Sequence, residues 1–173
     1  MGLLTTVITL VRYRIYGNNY VHVIGDGTLS THHNVRVHNT RIFIYPGASL
    51  TIEEGCIIEN ATISIEKGEC VLCKNVIIQN TAINIEDGKT SINHHAKVCC
   101  KRVWVRFGGE LSIGEYTNIN DGSEIRCDEK ISIGAFNQIS YNVRIWDTNT
   151  HNILSVDERR DLTVKKYPYF GYE

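Results

Sequence analysis

Residues 65–85 read Ile65-Glu66-Lys67-Gly68-Glu69-Cys70-Val71-Leu72-Cys73-Lys74-Asn75-Val76-Ile77-Ile78-Gln79-Asn80-Thr81-Ala82-Ile83-Asn84-Ile85. Aliphatic residues stand six apart at Ile65, Val71, Ile77 and Ile83, and Ile65 is matched 20 positions on by Ile85. A six-residue unit is too short for a helix plus a loop; it fits one short strand and one corner. Three units close a triangular coil. One coil alone cannot bury its apolar side chains, but stacked coils bury a continuous core and pair their backbones.

Working outward, the same period recurs. Ile113, Ile119, Ile125 and Ile131 form a second row, and Ile133, Ile139 and Ile145 a third whose next step lands on His151. The 20-residue recurrence also joins Ile113 to Ile133 and Ile24 to Ile44. Coils of 18 residues with insertions of about two fit these spacings. Glycine punctuates the rows, as in Ile24-Gly25-Asp26-Gly27, Ile52-Glu53-Glu54-Gly55 and Ile85-Glu86-Asp87-Gly88. Asparagine fits the corners, as in Asn75-Val76, Asn118-Ile119 and Asn142-Val143. With 15 Asn and 14 Gly against 2 Pro, the chain is rich in the residues that tolerate left-handed backbone at tight corners. Its abundant Ile and Val favour strands. The expected fold is all-β: a left-handed parallel β-helix over 15–153, with a short N-terminal helix or cap over 1–14 and an irregular tail over 154–173.

Three places depart from the pattern. Between Ile85 and Ile113 the row breaks around His94, His95, Cys99, Cys100 and Trp104, which predicts an irregular coil or bulge. Leu3, Leu4, Val7, Ile8 and Val11 fall at helical spacing before Arg12 and Arg14. That segment is read as a plug for the open end of the body, or else as peripheral attachment to a membrane surface or partner. Past Ser155 a charged stretch leads to Tyr167-Pro168-Tyr169-Phe170, expected to fold back onto the body. The alternative fold is a β-sandwich, for which Asp87-Gly88 and Asp121-Gly122 would be hairpin turns; the six-residue rows outweigh them.

The balance of 18 basic and 19 acidic residues, net −1, makes no electrostatic case for nucleic acid. The N-terminus lacks a basic n-region and a clear cleavage site, so the six cysteines are read as reduced and the protein as cytoplasmic. His94-His95, Cys99-Cys100 and Cys70-x-x-Cys73 raise the question of zinc. On a β-helix the Cys-x-x-Cys spacing is expected to put Val71 inward and the cysteines at different corners, so no metal is expected. His32, His33 and His38 are expected to face solvent.

The stretch Ile131-Ser132-Ile133-Gly134, followed by Ile139-Ser140-Tyr141-Asn142-Val143-Arg144-Ile145-Trp146-Asp147-Thr148-Asn149-Thr150-His151-Asn152-Ile153, resembles the hexapeptide-repeat acyltransferases. Within them it looks most like the sugar O-acetyltransferases of the maltose/galactoside type and those acting on capsule or exopolysaccharide. The likeness covers roughly residues 15 to 153 at the level of the repeat. In that family such a row ends in a histidine on a corner, often after an aspartate. The resemblance implies a homotrimer with active sites between subunits, acetyl-CoA as donor, a saccharide hydroxyl as acceptor, and His151 as general base. A neutral imidazole titrates near neutral pH and can take the hydroxyl proton, while a backbone N–H commonly meets the oxyanion; no metal is required. It further places Asn120 and Asp128 against the acceptor hydroxyls. Asp147 and Asn149 share the loop with His151 and would orient it or touch the sugar, and Trp146 would wall the acceptor site by stacking.

Family members continue past the histidine with further coils, often including a Trp-Ile-Gly segment, that build much of the coenzyme A pocket; here the 22 residues after His151 are not hexapeptide-like. Two function classes follow: the O-acetyltransferase, and a truncated or degenerate β-helix with a structural role. Acylation of serine or of an amino-sugar nitrogen is a further option.

Overall fold

A computed structural model of the chain describes residues 17–149 and 153–168. The expected N-terminal helix, Thr150 to Asn152 including His151, and Tyr169 and Phe170 lie outside the described residues.

The body is a parallel β-helix of three faces, consistent with the left-handed class. The first face stacks β1 (Tyr20–Val23), β4 (Arg41–Ile44), β7 (Thr62–Ile65), β10 (Ala82–Ile85), β13 (Arg102–Val105), β16 (Glu124–Cys127) and β19 (Arg144–Trp146). The second holds β2 (Thr28–Thr31), β5 (Ser49–Ile52), β8 (Gly68–Leu72), β11 (Gly88–Ile92), β14 (Gly109–Ile113) and β17 (Lys130–Ile133). The third holds β3 (Arg36–His38), β6 (Ile57–Glu59), β9 (Ile77–Gln79), β12 (Lys97–Val98), β15 (Asn118–Ile119) and β18 (Gln138–Ile139). Every pairing is parallel and joins a strand to the one three places on. Tyr20 lies beside Arg41, Thr62 beside Ala82 and Arg102 beside Glu124, so a coil takes 20 to 22 residues.

Alternation within each strand sends one set of side chains into the triangular interior, where Ile42, Ile44, Ile63, Ile65, Leu72, Ile78, Ile83, Ile85 and Ile92 are fully buried. The row Ile113, Ile119, Ile125 and Ile131 points inward throughout. The row Ile65, Val71, Ile77 and Ile83 does not. Ile65 and Ile83 are buried, while Val71 and Ile77 are only half-buried and Cys70, Leu72 and Ile78 take the interior. The corner through Glu66 and Lys67 is one residue shorter than its counterpart in the preceding coil, since Ile44 pairs with Ile65 but Leu50 with Cys70, so the inward position moves by one. The expectation of an inward Val71 is therefore corrected: Cys70 is the core residue.

The irregular coil expected around His94 to Trp104 is also corrected. β11, β12 and β13 pair in register with the coil before, and Ala96, Val98, Cys100, Val103 and Val105 fill the interior there. Small side chains and a cysteine acting as a hydrophobe replace isoleucine, which hid the repeat. All six cysteines are unbridged; burial pushes the Cys70 and Cys100 thiols up to about 12, so both are inert packing groups. The tail is not wholly irregular either. Helix α1 (Val156–Lys166) starts at a capping box between Ser155 and Glu158, carries Asp157 and Glu158 in its first turn and Lys165 and Lys166 in its last, and buries no side chain. Among the described residues no helix is long and apolar enough to cross a membrane.

The corners explain the asparagines. Asn18, Asn39, Asn60 and Asn80 all have positive φ where the third face turns into the first. Their side-chain amides form a ladder, Asn18 to Asn39 at 3.2 Å, Asn39 to Asn60 at 2.8 Å and Asn60 to Asn80 at 3.2 Å. Where the second face turns into the third, His95, Tyr116 and Phe136 hold the same backbone and stack their rings 4.7 and 5.3 Å apart. Asn118, expected at a corner, lies inside β15, and Tyr116 turns the chain instead. Asn60→Ala puts a Cβ-bearing residue with no compensating amide at left-handed φ, an expected loss of roughly 1–2 kcal/mol. Asn60→Gly, which adopts that φ freely, is expected to cost a few tenths. Urea unfolding of the two variants checks the order; equal losses would exclude backbone strain as the reason for asparagine here.

Candidate functional site at the C-terminal rim

The outward side chains of the last three strands of the first face form a lattice. Backbone register sets Arg102 beside Glu124 beside Arg144, and Trp104 beside Arg126 beside Trp146. At the adjoining corner a third column runs Arg106, Asp128, Thr148. Each column is closed by contacts between coils. Arg102 donates to Glu124 at 2.7 Å and Arg144 donates to its other oxygen at 3.2 Å. The Trp104 ring lies between the guanidinium groups of Arg102 and Arg106, at 4.3 and 4.2 Å, and its indole N–H donates to Glu86 at 2.8 Å. Arg126 sits 4.7 Å from the Trp146 ring centre.

Asp128 is the hub. Arg106 donates to both its oxygens at 2.8 Å, the fork geometry peculiar to arginine, and the Thr148 hydroxyl donates to one of them. Arg126 Nε lies 3.4 Å from the same carboxylate, within ion-pair reach but without hydrogen-bond alignment. Arg126 and Asp128 are both buried. The Arg106 fork, ahead of a smaller opposing cost of burial, holds the Asp128 carboxyl below its ordinary range. Asp147 plays a different part: its carboxylate accepts from the backbone N–H of Asp128 at 2.9 Å and of Glu129 at 2.8 Å. Burial by itself would raise the Asp147 carboxyl, but these backbone donors outweigh it and the net shift is downward.

Of the residues singled out in the sequence, the fold thus gathers Asp128, Trp146, Asp147 and Asn149 at one corner of the rim. Trp146 keeps 44% of its surface in solvent and Asn149 is exposed. Asp128 and Asp147 are committed to partners within the chain. Asn120 stands at the corner between the third and first faces, with all of β16 between it and Asp128; it accepts from the Asn118 amide at 3.2 Å. His151 lies outside the described residues. Sequence reading missed Arg106 and Thr148, which are brought to Asp128 from 22 and 20 positions away along the chain, and Arg126, which stands two residues before it.

A shallow groove of about 470 Å³ crosses the second face, lined by Glu69, Lys89, Ser91, Glu110, Ser112 and Lys130. Its polar groups pair with each other along the stack, Lys89 with Glu69, Lys130 with Glu110 and Ser91 with Ser112. The rim is therefore the better candidate. Comparison of the chain with protein-family models, with curated proteins and with solved structures gave no match.

Proposed function

We propose that the chain is a CoA-dependent O-acetyltransferase that moves an acetyl group from acetyl-CoA to a saccharide hydroxyl, with His151 as general base. One observation carries the reading: the segment entering His151 is tied down. Asp147 is bonded to two backbone amides of the preceding coil and Thr148 to Asp128, so the chain is held to the rim up to three residues before His151. Preorganisation of this kind is what a base on a loop needs. In the reaction His151 takes the hydroxyl proton as the sugar oxygen attacks the thioester carbonyl. The tetrahedral intermediate then expels the coenzyme A thiolate, which takes the proton from the imidazolium. Exposed Trp146 and Asn149 contact the acceptor, and Asp128 and Asp147 act by holding the loop. A cytoplasmic homotrimer with sites between subunits belongs to the same reading.

The second reading is a non-catalytic β-helix. It is favoured by how fully the charged groups of the rim are used up in internal pairs. Acetyl transfer to a panel of saccharides separates the two. On the enzyme reading, His151→Ala loses about 10²–10⁴-fold in rate with its circular dichroism unchanged. Wild-type protein that neither binds acetyl-CoA in calorimetry nor transfers acetyl would leave the structural reading standing.

A further inference from the structure

Away from the rim, where the second face turns into the third, three residues of different chemistry meet. Glu53 follows β5, Cys73 follows β8 and His94 lies just past β11, so three consecutive coils each deliver one side chain to the same edge. A carboxylate oxygen of Glu53, Sγ of Cys73 and a ring nitrogen of His94 lie within 4.8 Å of one another. One oxygen of Glu53, Oε2, is shielded from solvent and has no hydrogen-bond partner. A solvent-shielded carboxylate oxygen left without a donor is costly. Lys74, the residue after Cys73, is paired with Glu54 at 2.7 Å.

We propose that Glu53, Cys73 and His94 bind a divalent cation of the zinc class, with a fourth position open to water. The donor set selects the metal. Thiolate and imidazole together favour zinc over magnesium or calcium, and three protein ligands with one open position is the arrangement of reactive rather than closed structural zinc sites. The charges balance, since one carboxylate and one thiolate neutralise a dication. Binding breaks the Cys73 S–H bond, forms a metal–sulfur bond and releases the proton to solvent. Coordination needs ligand atoms about 3.5 Å apart around a tetrahedral ion. The exposed His94 ring has the freedom to close that gap, while Glu53 and Cys73 are half-buried on strand ends paired across the stack. Cys56, whose Sγ donates to the Cys73 carbonyl at 3.0 Å, steadies the corner from inside.

The test is titration of the full chain, stripped by chelator, with cobalt(II) and then zinc(II). The expected result is one equivalent bound, a thiolate-to-cobalt charge-transfer band in the near ultraviolet, and loss of that band when zinc displaces cobalt. Cys73→Ser abolishes the band. His94→Ala, at an exposed position that leaves the core untouched, weakens zinc by about tenfold or more, since even residues that merely support a ligand cost that much. Cys99→Ser, on a different corner, keeps both. Absence of a saturable site, or binding indifferent to Cys73→Ser and His94→Ala, overturns the proposal.

Discussion

Gly88→Ala is expected to destabilise the β-helix by about 4 kcal/mol, from roughly 1–3 kcal/mol of backbone strain and a similar cost of overpacking. Gly88 is buried at the start of β11 with φ of +143°, a conformation closed to residues with a Cβ. A Cβ there would run into the carbonyl oxygen of Gly109 in the next coil and come within 2.8 Å of Val105 Cγ1. Neither has room to yield, because coil spacing is set by the backbone pairing of Gly88 with Gly109 and Gly68. Gly47 is the internal control. Its φ is +75°, but nothing lies within 4 Å of the added methyl, so Gly47→Ala bears only the conformational cost of about 1 kcal/mol. Thermal melts should place Gly88→Ala roughly 8–16 °C below wild type and Gly47→Ala only a few degrees below. Equal shifts would mean that contact between coils does not dictate glycine at position 88.

Asp128→Ala is expected to cost about 3–5 kcal/mol, since removing one partner of a buried ion pair strands the others. Here it strands Arg126, whose side chain is only 7% exposed, and Arg106, and it frees Thr148. Lys67→Ala, which deletes the exposed Lys67–Asp87 pair, should change stability by less than about 1 kcal/mol. A stacked architecture makes stability additive between neighbouring coils, so the Asp128 loss should appear as early melting of the last coil. Exchange of amide hydrogens in β16 and β19 would accelerate while β4 to β10 stay protected; uniform acceleration would refute the local picture. The pH dependence has a fixed sign. Folding depresses the Asp128 carboxyl below its ordinary 3.8, so its stabilisation is whole above that value and drains away as pH falls below it. The gap between wild type and Asp128→Ala should narrow as pH falls through that range.

How much of this was legible beforehand depends on how local its cause is. The repeat could be read because each corner and each inward aliphatic is dictated within six residues. Asparagine's preference for corners was legible at Asn75 and Asn142, while the ladder of Asn18, Asn39, Asn60 and Asn80 emerged only once the coils were stacked. Which aliphatic faced inward was not always visible, since a corner shorter by one residue exchanges Val71 for Cys70. The coil around Trp104 looked irregular because cysteine, alanine and valine did the work of isoleucine.

The rim and the Glu53, Cys73 and His94 cluster belong to a different level. Their decisive contacts join residues a whole coil apart, such as Arg106 with Asp128 and Asp128 with Thr148. The Arg106–Asp128 fork forms only because the coil between them takes 22 residues: Val98 pairs with Ile119 at one interval, and Arg102 with Glu124 at an interval one residue longer. A carboxylate displaced by one residue would face the other way. By itself, then, the sequence determined the parallel β-helix and its corner chemistry, through turn preferences and side-chain alternation that act over a few residues. Only the tertiary structure decided which charged and ligating side chains meet, because that depends on the register between coils, and register is the sum of every small insertion around the turn.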